Sequence, residues 1–115
     1  MKLIVDLKEH SYPIYIERNG IEKIHEYLDV NRKIAIITDT GVPKKWVNTI
    51  KKQCPDSFIC TIPQGEPSKC FDQYKHLLEE MVQHEMTRKD AIIAVGGGVV
   101  GDLSGFVAAS YMRGI

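Results

Sequence analysis

The 115-residue chain has only three cysteines, Cys54, Cys60 and Cys70, and no two of them stand in C-x-x-C spacing. An odd count without ligand spacing excludes a disulfide framework and a zinc ribbon, and reads as free thiols in a reducing cytoplasm. Excess charge of one sign is also missing: 15 Lys and Arg balance 15 Asp and Glu. There is thus no basic surplus to hold nucleic acid and no acidic tail. No apolar run approaches the roughly 20 residues that cross a bilayer as a helix. The first ten residues, MKLIVDLKEH, are too short and too acidic for a signal peptide. The expectation is a cytoplasmic protein with neither nucleic acid nor membrane as partner. Repeats, low-complexity segments and flexible linkers are absent too, which leaves one small domain with an ordinary core.

What is present is a run of alternating patterns. Residues 2–7 (KLIVDL) and 12–17 (YPIYIE) read as two paired strands, with Pro13 marking the second as an edge. After Gly20, IEKIHEYLD puts Ile21, Ile24 and Leu28 on one helical face. IAIIT (34–38), FICTI (58–62) and AIIAV (91–95) are continuous apolar runs, as expected of strands buried on both faces. Val42, Trp46, Val47 and Ile50 make the buried stripe of a helix opening at Pro43. Phe71, Tyr74, Leu77, Leu78, Met81 and Val82 make that of a second, with Ser68 as its cap and Asp90 closing the region. A third helix follows the glycines and runs to about Met112. The alternation predicts an α/β fold: a Rossmann-like parallel sheet with flanking helices, plus an N-terminal antiparallel strand pair.

Open sheets of this kind bind ligands outside the carboxyl ends of their strands. Three loops meet there. Asp39 follows the first buried strand, Gln64-Gly65-Glu66-Pro67-Ser68-Lys69 the second, and Gly96-Gly97-Gly98 the third. Gly96, Gly98 and Gly101 match G-x-G-x-x-G, in which bare backbone at a helix start lets a phosphate approach unpaired N–H groups. On pattern alone the same glycines would also serve as a tight turn. Glu66 could accept from ribose hydroxyls and Lys69 could neutralise phosphate. Asp102 is read in the first helical turn, where a carboxylate complements the dipole, or at the rim of the site. Gly101, Gly105 and Ala109 narrow one helix face for close packing. His10, His25, His76 and His84 lack metal-ligand spacing.

The last helix is apolar nearly all round, and Arg113-Gly114 reads as its C-terminus with Ile115 opening a further strand. The expectation is that these residues are part of a longer protein.

Taken together, GGGVVGDLSGFVAASYMRG (96–114), QGEPSK (64–69) and ITD (37–39) closely resemble the N-terminal, NAD-binding part of 3-dehydroquinate synthases, across the whole chain. The resemblance implies residues 1–115 of a two-domain enzyme, with an incomplete NAD-binding domain here and the metal- and substrate-binding domain absent. Such an enzyme converts 3-deoxy-D-arabino-heptulosonate 7-phosphate to 3-dehydroquinate and phosphate in aromatic amino acid biosynthesis, as a homodimer. NAD acts as a recycled catalyst, and a divalent metal, zinc or cobalt, is bound by the missing part. By position, Gly97, Gly98, Val99, Val100, Gly101 and Asp102 would hold NAD, with backbone at the pyrophosphate. Gln64, Gly65, Glu66, Pro67, Ser68 and Lys69 would meet its ribose and nicotinamide side, and Asp39 its adenosine ribose. Arg113 would reach the substrate phosphate across the dimer interface. Pro67 and Gly41 depart from the usual pattern, and no catalytic or metal-ligating residue is expected in the chain. The same scaffold serves other sugar phosphate cyclases and glycerol-type dehydrogenases; a non-catalytic nucleotide-binding module is the reading from another class.

Overall fold

The computed structural model describes residues 1–115. Strands β1 (Lys2–Val5) and β2 (Tyr12–Tyr15) pair antiparallel and stand apart from the main sheet. Then β3 (Ile34–Asp39), α1 (Lys44–Lys51), β4 (Ser57–Ile62), α2 (Phe71–Gln83), β5 (Ala91–Val95) and α3 (Gly98–Ser110) alternate. They build a parallel sheet of order β4-β3-β5. The expected architecture is therefore present, with the first strand of the apolar series at its centre.

Side chains alternate across a strand, so β3 feeds two separate cores. Ala35 and Ile37 pack with Cys60, Ile62, Leu77, Met81, Val100, Leu103 and Val107, under α2 and α3. Ile34 and Ile36 pack with Val47, Ile50 and Cys54, under α1. Residues 34–37 are at most 1% exposed. β5 differs from its reading as a doubly buried strand: it is half-buried, because it pairs on one side only.

Residues 20–26 form 3₁₀ turns rather than an amphipathic α-helix, and Lys23 (φ −126°) leaves the helical region. The cause is local. An α-helix would bond the His25 N–H to the Ile21 carbonyl. Here the Gln53 amide takes both groups, donating to Ile21 O at 2.8 Å and accepting from His25 N at 3.2 Å. In α1, Val47 and Ile50 are buried, but Trp46 is 41% exposed and lies beneath the Lys45 ammonium. In α2, Leu77 and Met81 are buried while Phe71 and Val82 face out. That helix ends in a Schellman arrangement, Met86 N–H to Met81 O and Glu85 N–H to Val82 O, with Glu85 left-handed. Asp90 instead closes the next turn, accepting from Thr87 N–H at 2.7 Å.

α3 stops at Ser110, short of Met112, and Tyr111–Arg113 form a tight turn in which Met112 and Arg113 take positive φ. The buried Tyr111 hydroxyl donates to Met86 O at 2.8 Å and so ties this turn to the end of α2. The Ile115 N–H bonds Ala108 O at 2.9 Å and its side chain packs against the α2–α3 core.

The two helix α2 outcomes give a direct test by urea denaturation. Leu77→Ala should cost about 2–5 kcal/mol. Phe71→Ala, at a site the periodicity alone puts in the core, should change stability by no more than about 0.5 kcal/mol.

Candidate functional site

Parallel register brings the carboxyl ends of β4, β3 and β5 to one level, since Asp39 pairs with Ile62 and Thr38 with Val95. The three expected loops leave from that edge, and the structure ties them together. Asp39 Oδ1 accepts from the N–H groups of Gly41 (2.8 Å) and Val42 (3.1 Å), folding the β3–α1 loop back on its own carboxylate. Thr40 N–H donates to Ile62 O, extending the ladder by one bond. The Thr40 hydroxyl accepts from Gln64 N–H at 3.0 Å. A Cβ at Gly41 would overlap the Gln64 amide where it now lies, so this departure from the usual pattern lets that side chain rest on the β3–α1 loop.

Gly65 carries the next turn at φ 109°. Glu66, Pro67 and Ser68 form one 3₁₀ turn. Ser68 does not cap α2. Its side chain is buried and its hydroxyl donates to Pro63 O, which closes the loop on itself. The N-cap position belongs to Cys70, which makes no side-chain capping bond. Lys69 reaches across to α3, and its Nζ lies 2.8 Å from Asp102 Oδ2.

Gly96 has φ 157°, and a Cβ there would crowd the Val100 side chain. That glycine is required by the fold. Gly97, Gly98 and Gly101 are different: none has a positive φ, and a Cβ at each would meet nothing within 4 Å. The first α-helical bond of α3 joins Gly101 N–H to Gly97 O. The N–H groups of Gly98, Val99 and Val100 precede it and have no i−4 acceptor in the helix. Val100 is wholly buried, backbone included, so the open donors at this edge are those of Gly98 and Val99. Asp102 lies in the second turn, not the first, because α3 begins at Gly98. It is exposed and engaged by Lys69 rather than by the helix dipole.

Arg113 is not brought to this edge. It follows the far end of a 13-residue helix, about 20 Å from the glycines. No three His, Cys, Asp or Glu side chains come together as a metal site.

Two grooves flank the loops. One, of about 570 Å³, lies between α2 and α3 and is lined by Lys69, Cys70, Phe71, Tyr74, Leu103 and Phe106, with Asp102 at its rim. Its aromatic wall was not visible in the sequence, where Phe71 and Tyr74 share the helical spacing of true core residues. The other, of about 380 Å³, lies beside α1 and includes Thr38, Asp39, Thr40, Lys44, Asn48 and Thr61. The buried Thr38 hydroxyl in its wall has no hydrogen-bond partner.

The chain matches the family described as 3-dehydroquinate synthase N-terminal over residues 59–115. It is 41% identical to the 3-dehydroquinate synthase of Desulforamulus reducens, over 96% of this chain and 33% of that protein. It is 40% identical to that of Staphylococcus aureus strain MW2, over 100% and 33%. The chain spans about a third of the length of the curated relatives it matches. Among solved structures, 2-deoxy-scyllo-inosose synthase superposes with a TM-score of 0.89 at 24% identity, covering 100% of this chain and 34% of that one. A 2-epi-5-epi-valiolone synthase from Streptomyces hygroscopicus, solved with NAD+ and Zn2+ bound, gives 0.77 at 21%, covering 97% and 32%. Those two likenesses show the fold.

The ion pair at the rim has a pH signature. Its hydrogen bond and charge, Asp102 first, hold the Lys69 ammonium above its ordinary value of 10.5. A raised folded value means that the pair's contribution is complete below the unfolded value and fades as pH climbs through the folded one. In an NMR titration Lys69 should lose its proton at higher pH in the wild type than in Asp102→Asn, with no difference in stability developing on the acid side of neutrality from this lysine.

Proposed function

Because the chain belongs to the 3-dehydroquinate synthase family, we propose that residues 1–115 are the N-terminal NAD-binding part of such a synthase. The whole enzyme would convert 3-deoxy-D-arabino-heptulosonate 7-phosphate to 3-dehydroquinate and phosphate, as a homodimer. The observation that carries the reading is the bare backbone at Gly97, Gly98 and Gly101. Glycine in a helix costs about 0.5–1 kcal/mol relative to alanine. Neither their φ angles nor their packing asks for it, and the open space lies over unpaired N–H groups at the positive end of α3. A dinucleotide pyrophosphate fits that surface.

NAD, when bound, supplies a reversible hydride acceptor for a secondary alcohol. The chain's own part is to hold it. The N–H groups of Gly98 and Val99 would donate to a pyrophosphate oxygen. Lys69 lies one ion pair away and gives up part of its contact with Asp102 to neutralise the added charge. Asp39 spends Oδ1 on its own loop and keeps Oδ2 for an adenosine ribose hydroxyl. Glu66, exposed on its turn, accepts from the other ribose. Ser68 and Val100 are buried whole, so they would shape the two loops rather than touch the cofactor. Arg113, remote from this edge, suits a substrate phosphate in the site of a second copy. The divalent metal, zinc or cobalt, falls to residues outside this chain, whose side chains form no ligand set. A cytoplasmic setting goes with this reading, and the three cysteines are free thiols.

Two substitutions in the full-length enzyme test the reading. Gly98→Val should weaken NAD at least about a hundredfold in calorimetry with an unchanged melting profile in the absence of cofactor; undiminished affinity would sink the cofactor assignment. Arg113→Ala should raise KM for the sugar phosphate far more than the dissociation constant of NAD. Equal losses of both would point to a folding defect instead.

A further inference from the structure

We propose that Thr40 and Gly41 are positioning residues, which set the height of the 63–69 loop at the sheet edge and through it the affinity for the cofactor. The inference rests on the NAD reading above for its functional half, while its structural half stands alone.

Neither residue offers an obvious ligand group. The Thr40 hydroxyl accepts from Gln64 N–H, and Gly41 has no side chain. Yet between them they make two joints between the β3–α1 loop and the β4–α2 loop. The first is that Thr40–Gln64 hydrogen bond, 3.0 Å, reinforced by Thr40 N–H on Ile62 O at 3.0 Å. The second is a contact: the exposed Gln64 amide lies over Gly41, and a methyl group at that position would make the amide swing away. Asp39 holds the clamp closed from behind through Gly41 N–H and Val42 N–H.

The loop that is held has little else to set its position at this end. Its other ties are Ser68 to Pro63, internal to the loop, and Lys69 to Asp102, an exposed pair that a phosphate would loosen. When Lys69 turns to a ligand, the Thr40–Gln64 bond is the remaining side-chain hydrogen bond from this loop to the β3–α1 loop. Displacing Gln64 would carry Gly65 and Glu66 with it, and a shift of this kind changes ligand contacts without unfolding a core.

The test uses the full-length enzyme with Thr40→Val, Thr40→Ser and Gly41→Ala, the last made also in a Gln64→Ala background. NAD binding is measured by calorimetry, and amide hydrogen exchange is followed across residues 63–69. Thr40→Val should weaken NAD about threefold to tenfold, the range expected for one lost hydrogen bond. It should speed exchange in 63–69 while β3 keeps its protection, and Thr40→Ser should restore both. Gly41→Ala should weaken NAD in the wild type and add nothing further in the Gln64→Ala background. Wild-type affinity and exchange in Thr40→Val, or an equal effect of Gly41→Ala in both backgrounds, would overturn the clamp. If the unsubstituted enzyme binds no NAD, the cofactor reading fails. The clamp is then judged on exchange alone: faster exchange in Thr40→Val upholds it and unchanged exchange overturns it.

Discussion

Everything in this chain hangs from one strand. β3 has a hydrogen-bonded neighbour on each edge and an apolar core on each face, so Ile34 to Ile37 are sealed from water on all sides. A strand in that position must be apolar at every residue, which is why it reads as a continuous run rather than an alternation. It must also be paired in parallel by crossovers long enough to carry a helix. The consequence reaches the surface at Asp39. With both ladders in register up to that point, three loops are delivered to one edge, where the Thr40–Gln64 and Lys69–Asp102 contacts then join them.

The edge itself is built mainly from backbone. Gln64 N–H on Thr40, Gly41 N–H on Asp39, and the unpaired amides at the start of α3 do most of the arranging. Beside the carboxylates of Asp39 and Glu66, the edge carries one exposed ion pair, Lys69 with Asp102, of the kind that contributes little to stability and can exchange partners easily. A site of backbone donors with one mobile cation is suited to an anion whose charge is spread over several oxygens.

Sequence periodicity made the five strands, the parallel order and the convergence of the loops legible, because each follows from burial and from strand–helix alternation. It did less well where a tertiary contact overrode a local pattern. Residues 21–28 carry a helical stripe, but the Gln53 amide, from a distant helix end, takes the two backbone groups that would have closed the turn. Phe71 has the spacing of a core residue and faces a groove, since α2 has more apolar faces than the sheet can cover. Ser68 has the chemistry of a cap and is buried closing its own loop. Asp102 fell one turn from its expected place because the helix begins two residues after the first glycine. Spacing along the chain carries no signal for the first two, which depend on partners arriving from elsewhere, while Ser68 and Asp102 turn on the local closure of a loop and the start of a helix.

The glycines of α3 have a bearing on how this protein could be altered. Gly98, Gly101 and Gly105 lie inside a helix, with φ angles any residue accepts and empty space where a methyl group would go. A designer ranking substitutions for thermostability would choose them first, as each exchange for alanine promises about 0.5–1 kcal/mol. Two of the three are also where a ligand would have to touch the main chain. Heat resistance and cofactor access thus compete for the same few atoms, and a laboratory selection for stability alone would be expected to close this surface.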